Sequence, residues 1–374
     1  MQNILFLDQF SPTNLVVLNA PKTPEEKFYA ETYHWKIIEI LQRTKYNVDT
    51  ASDISYFIKN HEKYQLVWSV YNRLGFRNSE IFVQSLCEYY NLKYIGATPN
   101  VRALVEDKSM SKQLAEHLGL KTAPWVVCSK EYPLCKIPPF TGPYFVKPRF
   151  GSASIDIDES SLCYSWEDAI TKSEYYFRQQ IDVIVEKYIK GRCYGVSILN
   201  TISGVPLIAS PHYTISDKPG NIMTYSQKRF ADSGMTRFES TDTTLNKQLT
   251  YMSKKYFSAM QPCDYARIDF ILEEESFTPY FLEVNVLMNL GIRGGFVNSF
   301  LNSHFKTYEE LICHILELGI AKLDIWAIFI RKTHKPLFCC GHQPTASWEL
   351  SSIYSAIRRN SSAYLNFTLM FPPS

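Results

Sequence analysis

The 374-residue chain reads as a mixed α/β and α+β protein: an N-terminal unit built on an open, mostly parallel sheet, two smaller α+β units, and a C-terminal extension. Three observations predict this. Strand-like runs alternate with helical stretches over the first hundred residues, a Pro-rich connector interrupts the middle of the chain, and a pair of strand runs near 266–285 is joined by a short acidic turn. The length is sufficient for two or three compact units with real cores.

The first unit, 1–104, has candidate strands at Asn3 to Leu7, at QLVWSV (65–70) and at LKYIG (92–96), with helices between them. One helix is expected to begin after Thr23, the N-cap, with Pro24 at its first position and Glu26 three residues past the cap; Phe28, Ile37, Ile38 and Leu41 then form its apolar positions. No GxGxxG follows the first strand, so a dinucleotide-binding unit is not expected. The second unit, 105–185, opens with a helix from Asp107 to near Gly119 and continues with a strand around Trp125 to Val127. A connector holding Pro133, Pro138 and Pro139 leads to a strand ending at Lys147, and SWEDAITKSEYYFRQQ is a helix with Ser165 and Asp168 in capping-box positions. The third unit, 186–320, is entered through the VIVEKYI strand and adds strands at 192–199 and 206–213. A polar loop with Lys228, a helix near 244–260 and the paired strand runs complete it. The extension, 321–374, shows no clean period and has a net charge of +4 from residue 322 onward; no function is legible in it.

Composition excludes several partner classes. Apolar residues make up 45% and charged residues 20%, with a formal charge of +2, so there is no global electrostatic case for nucleic acid or an anionic membrane. A small-molecule partner fits better. MQNILFLDQF lacks a basic n-region, and no later stretch approaches about 20 apolar residues, so neither a signal peptide nor a membrane anchor is expected. Nine cysteines without CxxC spacing indicate reduced thiols and a cytoplasmic protein. Cys339, Cys340 and His342 fall short of a four-ligand zinc set.

The chemistry is carried by ARIDF (266–270) and FLEVN (281–285). Strand alternation puts Arg267 and Asp269 on one face, and Glu283 and Asn285 likewise, while Ile268, Phe270, Leu282 and Val284 point the other way. If the runs pair through the EEES turn, two carboxylates, an amide and a guanidinium converge on one patch suited to Mg²⁺ and phosphate. An amphipathic hairpin with its polar face in water has the same pattern. The lysines upstream favour the first reading: Lys147 ends YFVKP and precedes FGSAS, Lys108 lies in VEDKSMSK, and Lys228 lies in TYSQKRF. Hard oxygen ligands, separate lysines and a small-residue loop are the parts needed to bind a metal–nucleoside triphosphate.

Taken in order, YIGATPNVRALVEDKSMSK, YFVKPRFGSAS, VIVEKYIKGR, TYSQKRF, YARIDF and FLEVN make the chain resemble the ATP-grasp superfamily, in its D-alanine:D-alanine ligase-like branch, from Tyr94 to Gly319. The resemblance implies an ATP-grasp fold preceded by an α/β pre-ATP-grasp domain. It also implies ATP with Mg²⁺ (or Mn²⁺ in its place), activation of a carboxylate as an acyl phosphate, and attack by an amine. It would put Lys108 and Lys147 on the α- and β-phosphates, Ser152 in the phosphate loop, and the backbone of Glu186, Lys187, Tyr188 and Ile189 on the adenine edge. Cys193 would stand at the ribose position. Lys228 would close over the γ-phosphate and exclude water. Asp269, Glu283 and Asn285 would be the metal ligands and Arg267 the oxyanion stabiliser. A homodimer through the N-terminal domain is implied by the same analogy.

Departures from the family pattern shape the functional expectation. The phosphate loop reads GSASIDI, with Ile155 and Asp156 where a glycine is expected, and Cys193 replaces a ribose-binding glutamate. DQFSPTNLVVLNAPKTPEE stands in place of a Gly-Gly-x-Ser-x-Glu segment, YNRLGFRNSE in place of HGxxGEDG, and VLMNLGIRGGF in place of Pro-Gly-Met-Thr. Arg293 is therefore expected to bind a substrate carboxylate, with Arg77 or Arg73 at another anionic group. The expected activity is a carboxylate–amine ligase acting on an amino acid or small peptide, not on D-alanine twice. An ATP-grasp kinase, or a nucleotide-binding protein without turnover, are the alternatives. The retained Arg267 and the complete metal set favour the ligase.

Overall fold

The computed structural model describes residues 2–8, 35–70, 79–151, 157–223, 234–287, 289–292 and 294–333. The predicted cap at Thr23 lies outside them. Strands β1 (Asn3–Leu7), β2 (Asn47–Ala51), β3 (Leu66–Ser69) and β4 (Lys93–Ile95) form a parallel sheet in the order β2-β1-β3-β4. The central strands β1 and β3 are short apolar runs because both faces are covered. On one face Leu5, Leu7 and Val67 meet Phe57 of helix α2 (Ile54–Asn60) and Val83 and Cys87 of α3 (Phe82–Tyr89). On the other, Ile4, Phe6, Leu66 and Trp68 share a core with α1 (Trp35–Gln42). Strand β2 was not expected from sequence: NVDTA has too few apolar positions to register as a period-two run.

Helices α4 (Pro99–Glu106) and α5 (Lys108–His117) follow, separated by Asp107, which ends the first and caps the second. The predicted helix from Asp107 is thus α5. Strands β5 (Trp125–Cys128), β6 (Tyr144–Pro148), β7 (Leu162–Cys163) and β8 (Val183–Lys187) make an antiparallel sheet ordered β5-β8-β6-β7. Helix α6 (Trp166–Phe177) packs Trp166, Ala169 and Tyr176 on it, and opens with the capping box read from Ser165 and Asp168.

The largest sheet runs β12-β11-β9-β13-β14, with β10 paired to the far end of β9. Its strands are β9 (Gly191–Leu199), β10 (Leu207–Ile208), β11 (His212–Ser216), β12 (Met235–Glu239), β13 (Tyr265–Glu273) and β14 (Pro279–Asn285). The single strand expected at 206–213 is two short ones, broken before the prolyl residue Pro211, which has no amide to give to a ladder. One face buries Val196, Ile198, Ala266, Ile268 and Phe270 under Leu245, Leu249, Tyr256 and Phe257 of α7 (Thr243–Ala259). The opposite face carries the polar side chains. Helices α8 (Gly295–Ser303) and α9 (Tyr308–Thr333) complete the described chain, and α9 lays Leu311, Ile312 and Ile315 on the N-terminal core.

Candidate functional site

The two strand runs pair as the alternation predicts. Strands β13 and β14 are antiparallel, with Arg267 opposite Asn285 and Asp269 opposite Glu283; the register shifts only beyond Asp269. Ile268 and Phe270 are fully buried on the far side, which fixes the polar face by exclusion. The Arg267 guanidinium donates to Asp269 twice, Nε to Oδ1 at 2.7 Å and Nη2 to Oδ2 at 2.7 Å, and Asn285 Nδ2 donates to Asp269 Oδ2 at 3.0 Å. Burial alone would lower the Arg267 pKa, but the Asp269 carboxylate outweighs it and holds the guanidinium charged above its ordinary range.

Two carboxylates and an amide carbonyl on one small patch are hard oxygen donors that fit Mg²⁺, each oxygen retaining lone pairs beside its present hydrogen bonds. Among the described residues no cluster of three or more His, Cys, Asp or Glu side chains forms a metal cage. Phosphate oxygens and water would therefore complete any coordination shell, the usual arrangement for a nucleotide-bound Mg²⁺.

A second cluster lies on the small antiparallel sheet. Lys147, next to last in β6, has its side chain 4% exposed and its Nζ 2.8 Å from Glu186 Oε2; Lys112 of α5 approaches the other oxygen of Glu186 at 2.9 Å. Burial would raise the Glu186 pKa, yet the two ammoniums beside it pull it down to about 2. One carboxylate shared by two lysines leaves the buried cluster with a net positive charge, which is the field a polyphosphate needs. Lys112 was not picked out in the sequence, although its place one turn after Lys108 on a capped helix was a signal.

Lys108 opens α5, and Asp107 fixes where that helix begins. The Asp107 carboxylate accepts from Ser109 N at 2.9 Å and takes both arms of Arg149, Nε at 3.0 Å and Nη2 at 2.7 Å. The helix start is thereby tied to the end of β6. Lys108 Nζ donates to the Gly151 carbonyl at 2.6 Å, and burial pushes its pKa down to about 8 despite Glu283 nearby. Lys108, Glu283 and Asn285 line one cavity together with Glu80, Glu106 and Gly151. The structure thus brings four of the predicted residues to one place, Lys108 beside Glu283 and Asn285 and, through Asn285, Asp269.

In the 186–189 segment, the Lys187 amide donates to Pro124 O and the Tyr188 amide to Pro143 O, both at 2.8 Å. These amides are used within the fold, so an adenine edge would meet the Ile189 amide or the carbonyls of the segment. Cys193 lies on β9 opposite Thr214 and Ile271, half-buried, on the same sheet face as Asp269. Lys228, Ser152, Asp156, Arg73, Arg77 and Arg293 lie outside the described residues.

The structure adds groups that the sequence reading missed. Gly195 stands between Asp269 and His212 across the sheet, and a Cβ there would come within 3.0 Å of the His212 ring and 3.2 Å of Asp269 Oδ1. His212 is 7% exposed, and burial beside Arg267 and Arg237 pushes its pKa down to about 3, so its imidazole is neutral. Arg237 on edge strand β12 is solvent-accessible, and its guanidinium rests on Gly295 at the start of α8, where a Cβ would lie 3.0 Å from its Cζ. The signal for Arg237 was its period-two spacing in MTRFE, unreadable without the sheet order.

A hard-ligand hairpin, a buried lysine cluster and a helix-borne lysine around one cleft of an α+β pair define the ATP-grasp class of nucleotide-dependent enzymes. Residues 108–317, more than half of the chain, match the family described as D-ala D-ala ligase C-terminus, and the chain belongs to that family. The family is one of ATP-dependent C–N ligases that use Mg²⁺. The chain is 28% identical over 242 residues to D-alanine–D-alanine ligase B of Clostridium perfringens (strain 13 / Type A), a span of 64% of this chain and 76% of the relative. It is 26% identical over 282 residues to the D-alanine–D-alanine ligase of Maridesulfovibrio salexigens, 74% of this chain and 87% of that one. Among solved structures, D-alanine–D-alanine ligase from Bacillus anthracis complexed with ATP aligns with a TM-score of 0.66 at 19% identity, over 87% of this chain and 100% of that chain. The VanG D-Ala:D-Ser ligase of Enterococcus faecalis aligns at 0.62 and 14% identity, over 85% and 99%. These likenesses show the ATP-grasp fold. Among the described residues no helix is long and apolar enough to cross a membrane.

Proposed function

We propose that the protein is an ATP-dependent carboxylate–amine ligase that activates a carboxylate as an acyl phosphate and passes it to an amine, with a substrate pair other than two D-alanines. The observation that carries the reading is the β13–β14 hairpin, where Arg267, Asp269, Glu283 and Asn285 share one face and both Arg267 and Asn285 donate to Asp269. In this reading Asp269, Glu283 and Asn285 hold Mg²⁺, which when bound offsets the charge of the triphosphate. Lys108 and Lys147 lie along the phosphates, with Lys112 and Glu186 holding Lys147 in place. Ser152 and the 186–189 backbone, with Cys193 beside them, complete the nucleotide site, and Lys228 reaches the γ-phosphate.

Arg267 would donate to the oxyanion that forms when the amine attacks the acyl carbon, the purpose for which a pre-oriented guanidinium is worth most. Asp269 keeps that guanidinium oriented and charged before substrate arrives. Arg237, which among the described residues pairs with no carboxylate, would take an anionic group of the incoming amine at the start of α8; Arg293 and Arg77 are proposed for the other anionic groups of the substrates. The replaced recognition segments, VLMNLGIRGGF above all, support a substrate pair different from that of the relatives.

The test is release of ADP from MgATP against a panel of single amino acids, amino acid pairs and dipeptides, with the products weighed by mass spectrometry. Release that requires two components and yields a product one water lighter than their sum is the expected result. Nucleotide binding without release on every combination would remove the reading.

A further inference from the structure

The small antiparallel sheet ends at Lys187 of β8 and the six-stranded sheet begins at Gly191 of β9, so residues 188–190 link the two. A second connection lies beside that linker. The Tyr188 hydroxyl donates to the Gly220 carbonyl at 2.7 Å. Gly220 sits in the turn after β11 at φ 67°, and Asn221 next to it is also left-handed, at φ 55°. A residue other than glycine keeps that conformation where its surroundings fix it, and here they do. Asn221 Oδ1 accepts from the Ser216 amide at 2.6 Å, its Nδ2 donates to Gly191 O at 3.2 Å, and the Ser216 hydroxyl donates to Ile222 O at 2.7 Å. The turn is thus a rigid part of the six-stranded sheet, and it reaches the other sheet. A Cβ on Gly220 would lie 2.8 Å from the Tyr188 hydroxyl and 3.2 Å from Leu162 Cδ2 of β7, and Lys218 Nζ is 3.2 Å from Glu159 Oε1 just before β7. The ion pair is exposed and adds little, so the hydroxyl and the close packing of Gly220 carry the tie.

We propose that Tyr188 is a positioning residue whose hydroxyl, by holding the 218–221 turn, sets the distance between the buried lysine cluster and the metal carboxylates. Lys147 and Glu186 are carried by the small sheet, and Asp269, Glu283 and Asn285 by the six-stranded one. A triphosphate that meets both sets spans the gap between the sheets. An adenine edge on the 186–189 backbone touches β8 and the linker alone. The tie therefore governs the grip on the phosphates and leaves the base unaffected. The inference rests on the nucleotide site of the ligase reading and gives a role to a side chain of which that reading uses only the backbone.

The experiment is calorimetry of the Mg²⁺ complex of a non-hydrolysable ATP analogue, with adenosine measured by its displacement of that complex. Four proteins are compared: the wild type, Tyr188→Phe, Gly220→Ala and the double variant. Tyr188→Phe removes the hydroxyl and keeps the ring and backbone, whereas Gly220→Ala drives a methyl toward that hydroxyl from a left-handed backbone. Each single change is expected to weaken the analogue by about three- to tenfold, the worth of one hydrogen bond, with adenosine unchanged. The double variant should bind no more weakly than the worse single, because both changes break one contact. Unchanged analogue affinity in Tyr188→Phe, equal losses for analogue and adenosine, or losses that multiply in the double variant each overturn the proposal. Should Gly220→Ala not fold, Tyr188→Phe decides alone through the comparison of analogue with adenosine. A wild type that binds no analogue removes the nucleotide reading itself, a result distinct from equal binding by the wild type and Tyr188→Phe.

Discussion

The smallest units that decide this site are single side chains whose charge is set by their neighbours. Replacing Asp269 by Asn or Glu283 by Gln should lower turnover by two orders of magnitude or more, about 3 kcal/mol, with the fold intact, as measured by steady-state kinetics and a thermal melt. Near-wild-type rates in both would remove them from the metal site. Glu186 makes a different prediction. Its folded pKa of about 2 lies below the unfolded value of about 4.3, so its stabilising contribution is complete above pH 4.3 and is lost as the pH falls through about 2. Lys112→Met removes one of its two partners, raises that folded pKa, and should move acid unfolding to higher pH. It should also cost about 3 kcal/mol at neutral pH. An acid-unfolding midpoint that stays put would show that Lys147 alone holds the carboxylate. The hairpin residues were legible in the sequence because period-two alternation fixes a face without any tertiary knowledge. Lys112 and His212 were not, since their surroundings depend on Glu186 and Asp269, 74 and 57 residues away, and local pattern does not report such contacts.

Secondary elements act by setting the spacing between these groups. Gly195 on β9 leaves the gap through which Asp269 and His212 approach each other. Gly195→Ala puts a methyl 3.0 to 3.2 Å from both, which the His212 ring must accommodate by moving. The expected outcome is a several-fold higher Mg²⁺ requirement with a loss of about 1 kcal/mol in stability, read from Mg²⁺ titration of the rate and from denaturant melts. An unaltered Mg²⁺ requirement would detach β9 from the metal site. At this scale the sequence was informative where an element is capped or sharply alternating, as at Ser165, Asp107 and ARIDF. It was poor where an element is short and half-polar: β2 carries only Val48 and Ala51 as apolar residues, and Pro211 splits what reads as one run into β10 and β11.

Over the whole molecule, the N-terminal sheet and the six-stranded sheet are held together by α9, which follows the candidate site in the chain yet covers the first sheet. Gly319 lets it close: a Cβ there would come within 2.5 Å of Ile95 and 3.0 Å of Leu66. Nearby, Asp264 accepts from the Gly96 amide and from Lys322 Nζ, each at 2.7 Å, so the start of β13 is tied both to the end of β4 and to α9. Gly319→Val should destabilise the protein by about 1 to 3 kcal/mol through overpacking while leaving MgATP affinity unchanged, since the residues proposed for the nucleotide lie on the other sheets. A large loss of affinity at full stability would mean that α9 reports to the nucleotide site. This long-range closure could not be read from local sequence, because the apolar stripe of α9 does not say which sheet it will cover.

The claim on which the rest depends is that a substrate carboxylate is activated as an acyl phosphate. Once the panel has identified an acid, it should be supplied with both carboxylate oxygens labelled as ¹⁸O and the inorganic phosphate released during turnover examined by mass spectrometry. The account predicts one labelled oxygen in each phosphate, because the attacking amine leaves the activating oxygen with the departing phosphoryl group. Unlabelled phosphate, with the oxygen lost from the acid appearing elsewhere, for instance in water, would contradict it.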